Sequence, residues 1–135
     1  MTAERVFADT SVLIRYFAED DVPRALAAAT LLGSGARIVI STGVILEALY
    51  VLRTEYGFQN PKLALLLVKL LTHTHVELAD ADQFTLAQAI AATRHVSARH
   101  IADAILAGAA QTARCDYIAS FDEKMTSSTV AVRLL

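Results

Sequence analysis

The sequence predicts an α/β domain built on a mostly parallel sheet. Three observations carry that expectation. Short apolar stretches of strand length alternate with longer segments of helical composition, the order that crossover helices between parallel strands produce. The strand candidates, Val6-Phe7-Ala8 and Ile38-Val39-Ile40 among them, are apolar throughout, as strands buried on both faces should be. Finally, the chain has 135 residues, 55% hydrophobic and 19% charged, which is enough for one filled core and too little charge for disorder.

Each element has its own signal. Val6 to Ala8 forms the first strand candidate, and Asp9-Thr10-Ser11 then offers three N-cap residues before the apolar helix Val12 to Phe17. Glu19-Asp20-Asp21 reads as a loop. Pro23 suits the first turn of a second helix, which runs through alanines to Leu32 and stops at Gly33-Ser34-Gly35. Arg37 to Ile40 is the second strand, β-branched and bounded by turn residues. Ser41 and Thr42 can cap a third helix from Gly43 to Tyr56, with Gly57 as its stop. Asn60-Pro61 opens a fourth helix, ending near Thr72. Val76 to Leu78 is a short third strand. A helix follows from Ala81 to Arg94, with Asp80 and Asp82 as caps, and another from Ala98 to Ala113. Tyr117 to Ala119 is a fourth strand. Val130 to Leu134, alternating with period two, is a fifth. No linker or repeat divides the chain, so a single domain over residues 1–135 is expected.

Composition excludes several function classes. No apolar run reaches the ~18 residues of a membrane span, so no membrane partner is expected. The start, Met1-Thr2-Ala3-Glu4-Arg5, lacks the basic opening and longer apolar region of a signal peptide. The single cysteine, Cys115, has no internal partner and fits a reducing cytoplasm; its apolar setting suggests an inert thiol. A formal net charge of −2 argues against binding nucleic acid by bulk charge. It leaves room for a nuclease, whose metal-binding acids lower the count while basic residues elsewhere grip phosphate.

Four acids stand out by position. Asp9 sits at the carboxyl end of a strand, where sites form in open parallel sheets, although an Asp between strand and helix is commonly just an N-cap. Glu47 is the lone charge between Gly43 and Leu52. Val44 and Val51 lie within about 60° of it on a helical wheel, so it is either a carboxylate on an apolar face or an exposed acid at its margin. Asp103 lies among apolar residues of its helix, yet His100, Gln111 and Arg114 fall on one side and would equally explain it as part of an exposed polar stripe. Asp122 follows the fourth strand and could cap a turn, and Ser120 and Glu123 have capping-box spacing. Taken together, the acids can meet if the strands are parallel neighbours. Carboxylates sharing a pocket repel one another unless a cation joins them, and hard cations such as Mg²⁺ or Mn²⁺ prefer oxygen ligands. Such a site suits phosphodiester hydrolysis.

The segments Asp9-Thr10-Ser11-Val12-Leu13-Ile14-Arg15-Tyr16, Glu47 in its apolar helix, Ile101-Ala102-Asp103-Ala104-Ile105-Leu106 and Ala119-Ser120-Phe121-Asp122 resemble those of PIN-domain nucleases, and more narrowly VapC-type toxins. Their order and spacing cover nearly the whole chain. The resemblance implies a three-layer α/β/α fold and a Mg²⁺- or Mn²⁺-dependent endoribonuclease, often a homodimer, silenced by a cognate antitoxin. It carries over Asp9, Glu47, Asp103 and Asp122 as the acidic site; in the mechanism expected from it, Asp9 and Asp103 are direct metal ligands, and Glu47 and Asp122 bind the metal directly or through water, or position the attacking water. Thr10, Ser11 and Ser120 map to supporting hydroxyls; Ser120 stands where the family often has Thr. Arg15, Arg53, Arg94, Arg99, His100 and Lys124 are candidate RNA contacts by charge and nearness in sequence to the acids, each with an ordinary solvated charge as its alternative.

Competing readings have their own residues. His73-Thr74-His75 places two imidazoles together, but a zinc site needs further ligands that the sequence does not supply. A haloacid-dehalogenase-type phosphotransferase would want an Asp where Ser11 stands. An RNA maturation or decay nuclease and a non-catalytic PIN-like binding module are the remaining alternatives. Tyr16, Phe17 and Tyr50 are expected to pack in the core, with an antitoxin groove as the alternative.

Overall fold

A computed structural model describes residues 4–93, 98–125, 127 and 130–135, the side chains of Ala98 and Arg99 excepted. The elements follow the expected order: β1 (Arg5–Phe7), α1 (Thr10–Ala18), α2 (Val22–Leu32), β2 (Arg37–Ile40), α3 (Thr42–Thr54), α4 (Asn60–Leu71), β3 (Val76–Leu78), α5 (Gln83–Ala92), α6 (Ala98–Thr112), β4 (Tyr117–Ser120) and β5 (Ala131–Leu134). This is the α/β architecture that the sequence predicts.

Local chemistry sets the boundaries. Asp9, Asp21, Ser41 and Asp82 are N-caps whose side chains accept backbone N–H bonds at the starts of α1, α2, α3 and α5. Pro23 and Pro61 lie in first turns, where a missing N–H costs nothing. Helix α3 ends at Thr54, ahead of the expected Tyr56, and Gly57 follows with a φ of 68° that suits glycine. Asp80 departs from expectation. Its Oδ1 accepts from Thr42 N at 2.9 Å and its Oδ2 from Thr42 Oγ1 at 2.8 Å, so it ties the end of β3 to the start of α3 rather than capping α5.

The strands run parallel in two groups. The first has the order β1-β2-β3, with Val6 opposite Ile38 and Ile38 opposite Val76. The second pairs β4 with β5, Tyr117 opposite Ala131 and Ser120 opposite Leu134. Strand direction is as expected, but β1 and β4 fall in separate sheets among the described residues.

Burial on both faces, expected of β1, is not found. One face of the first sheet carries Ile38, Ile40, Val76 and Leu78 into the core. The other presents Arg5, Phe7, Arg37, Val39 and Glu77, and Phe7 is 58% exposed. The cause is charge. Arg5 Nη1 lies 2.7 Å from Glu77 Oε2 and Arg37 Nε 3.5 Å from the same oxygen, and this cluster needs water on its open side.

The core joins Leu13 of α1, the inward face of the sheet, Ile45 and Leu52 of α3, Leu63, Leu67 and Leu71 of α4, and Ile101 and Ile105 of α6. Helix α1 packs on α2 and α3, α4 on α5, and α6 on α5 and more lightly on α3. Gly108 faces Leu86 where α6 packs on α5; a Cβ there would stand 2.9 Å from Leu86 Cδ1, so that side chain would have to shift. Among the described residues, no helix is long and apolar enough to cross a membrane.

Candidate active site

Asp9 enters from the end of β1, where the chain leaves the sheet and turns into α1. Its Oδ1 accepts from Ser11 Oγ at 2.6 Å and from Val12 N at 3.4 Å. The Ser11 hydroxyl, followed by the Val12 amide, holds this exposed carboxyl below its ordinary range. Asp9 is therefore an N-cap and a dependable anion at once. Thr10 beside it is buried.

Asp103 has the opposite setting. It is 7% exposed, with Ile101, Ala104, Ile105 and Ala107 buried around it on α6. Its Oδ2 is shut off from solvent and has no hydrogen-bond partner among the described residues. The exposed polar stripe weighed for this helix exists only at its far end: Gln111 and Arg114 are exposed, whereas the stripe runs into the interior by Ala107. A buried carboxylate oxygen without a partner costs several kcal/mol unless it takes a proton, a counter-charge or a cation.

Glu47 is exposed, and so is Tyr50 one turn on, at 60%. Val44 and Val51 are half-buried. The wheel placed the apolar residues around Glu47 correctly, but that face lies at the surface, so the marginal setting is the one the structure has. Core packing holds for Phe17 and fails for Tyr16 and Tyr50, both exposed.

Asp122 lies exposed beyond β4. Its backbone N donates to Ser120 Oγ at 3.0 Å, and its Oδ1 accepts from Lys124 N at 2.9 Å. These bonds shape a turn, and the capping-box spacing of Ser120 and Glu123 opens no helix.

Helix packing brings the elements carrying these residues into sequence, α1 against α3 and α3 against α6. Among the described residues, no three His, Cys, Asp or Glu side chains are grouped closely enough to hold a metal ion.

The basic candidates divide. Arg15 Nη1 lies 3.3 Å from Asp20 Oδ1, and Tyr56 donates its hydroxyl to Asp20 Oδ2 at 3.0 Å. Partial desolvation pushes the Asp20 carboxyl up; the Tyr56 hydroxyl and the Arg15 guanidinium more than reverse it, leaving it below the usual range. Arg53 and Lys124 are exposed, and His100 is half-buried on α6. Arg94 and the Arg99 side chain lie outside the described residues. Away from the acids, His73 Nδ1 accepts from His75 N at 3.1 Å. Cys115, expected in an apolar setting, is exposed. Sequence reasoning missed Asp80 as a tether, because its partner is a distant threonine.

Comparison with curated proteins returned no match. The PIN domain family matches residues 6–128, a span that begins inside β1 and takes in Asp9, Glu47, Asp103 and Asp122. The chain belongs to the PIN domain family, whose members are generally metal-dependent nucleases.

Proposed function

We propose that this chain is a divalent-metal-dependent endoribonuclease that acts in the cytoplasm as the toxin of a toxin–antitoxin pair, as a homodimer silenced by its cognate antitoxin. The observation that carries the catalytic part is Asp103, a buried carboxylate whose Oδ2 lacks a partner among the described residues in a chain of a nuclease family.

The donor set suits a hard cation, since every candidate ligand is an oxygen. Mg²⁺ commonly keeps several waters and takes only one or two carboxylates from the protein. That habit fits one orphaned buried carboxylate oxygen. Asp103 and Asp9 are the residues that would hold Mg²⁺ or Mn²⁺, with Glu47 and Asp122 reaching it through water. When bound, the ion supplies positive charge against the anionic transition state of phosphodiester hydrolysis.

The chain's own residues do the rest. Asp9, kept ionised by Ser11 and Val12, does not take up a proton near neutrality. Ser11 fixes its orientation. Glu47, being exposed, can orient an attacking water and accept its proton. Ser120 and Lys124 shape the turn that presents Asp122. The test is cleavage of end-labelled RNA by purified protein with Mg²⁺ or Mn²⁺ and with EDTA, beside Asp103→Asn prepared identically. Metal-dependent cutting by the wild type alone supports the reading; equal cutting by the variant overturns it. A second reading, a PIN-like module that binds without cutting, is favoured by β1 and β4, the strands that lead to Asp9 and Asp122, falling in separate sheets among the described residues. Folded protein that shows neither cleavage nor saturable Mn²⁺ binding would establish that alternative.

A further inference from the structure

We propose that the groove between α1 and α2 receives the RNA strand that flanks the cleaved phosphate, with Arg24 and Arg15 as its phosphate contacts. This rests on the ribonuclease reading above. The groove has a volume of about 320 Å³, and its walls include Ser11, Val12 and Arg15 from α1 and Arg24, Ala27 and Leu31 from α2. Ser11 is the residue whose hydroxyl holds Asp9, so the groove opens beside the proposed catalytic carboxylate. Arg24, Ala27 and Leu31 recur at helical spacing and share one face of α2. Two arginines on the walls of an apolar groove suit a single strand, phosphates on the arginines and a base or sugar on the apolar floor.

Both arginines are paired, yet neither is used up. Arg24 Nε lies 3.4 Å from Asp21 Oδ2, and its side chain is 68% exposed. Asp21 is also the N-cap of α2, accepting from Arg24 N at 3.2 Å, and Asp20 is shared between Arg15 and the Tyr56 hydroxyl. A guanidinium has five N–H donors, so a phosphate can join Arg15 beside Asp20, and the exposed Arg24–Asp21 pair is weak enough for a phosphate to displace Asp21.

The opposite flank of the same helix pair makes the choice of occupant. A second groove there, about 260 Å³, is lined by Tyr16, Glu19, Val22, Ala25, Leu26 and Ala29. It has no basic wall, and its one charged residue is an acid. A polyanion is favoured by the arginine flank and repelled from the Glu19 flank.

The experiment measures binding of a fluorescein-labelled single-stranded RNA in an Asp103→Asn background, where cutting is prevented, and steady-state cleavage in the otherwise wild-type protein. Arg24→Glu is expected to weaken binding by roughly tenfold and to lower the salt slope by about 1. It should raise KM and leave kcat unchanged. Arg24→Lys should recover most of the binding, and Leu26→Glu on the other flank should leave it intact. Far-UV circular dichroism and Tm confirm that each variant folds. Wild-type affinity in Arg24→Glu, beside a wild type that cleaves, overturns the groove and spares the nuclease. Weakening by Leu26→Glu but not Arg24→Glu overturns it in favour of the opposite flank. A loss confined to kcat overturns it by showing that Arg24 acts on the acids. A folded wild type that neither binds nor cuts RNA overturns the ribonuclease reading together with this proposal.

Discussion

Asp9 and Asp103 are the same side chain under opposite terms. Asp9 is exposed, bonded through Oδ1 to Ser11 and Val12, and useful to the fold as the cap of α1. Asp103 is enclosed by α6 and its neighbours and leaves Oδ2 without a partner among the described residues. An acid that is satisfied has a structural reason to be where it is. An acid that is buried and unsatisfied costs stability, and that cost is the better pointer to chemistry.

The comparison breaks first at Asp103. Asp103→Asn should lower RNA cleavage by about 100-fold or more, since it removes the buried charge, while the urea midpoint holds or rises. A large loss of stability instead would show that the carboxylate has a structural partner. Asp9→Ala should be the mirror image in stability, lowering Tm by about 4 °C, the size of a lost N-cap in a domain of this length. Asp9→Asn should keep most of that stability, because an amide oxygen caps nearly as well.

The pH dependence sharpens the same contrast. The folded-state pKa of Asp9 is depressed below its ordinary 3.8 by Ser11 and then Val12. The stability it contributes is therefore fully present above the unfolded value and lost as pH falls through the lower folded value. Urea melts of wild type and Asp9→Ala should differ near neutrality and draw together in acid. Glu47→Gln should have the smallest effect on stability, within about 0.5 kcal/mol, because the residue is exposed. A larger loss would mean that α3 depends on this carboxylate.

What was legible in the sequence was local. Asp9, Pro23, Ser41, Pro61 and Asp82 fix helix starts through neighbours within three or four residues, and the element order followed from them. Burial was not local. Glu47 and Asp103 each had a wheel that fitted two settings, and which helix turned its acid inward was decided by packing of α6 against α5 and α3, through contacts such as Gly108 with Leu86. The partition of the strands and the Asp80–Thr42 tether depend likewise on residues far apart in the chain. The positions of the candidate acids could be read; whether each was enclosed or open to water could not.

The Arg5–Glu77–Arg37 cluster has a consequence for kinetics. Arg5 and Glu77 are 72 residues apart and belong to the two outer strands, which flank β2. They can meet only after both crossovers have closed and all three strands are in register. A side-chain cluster that needs all three strands in register is expected to close after the transition state, as a low-φ contact. Its loss should therefore leave the refolding rate nearly unchanged and quicken unfolding. The cluster would then act as a light latch on the finished sheet, lengthening the life of the native state by about fivefold at most, the worth of an exposed ion pair.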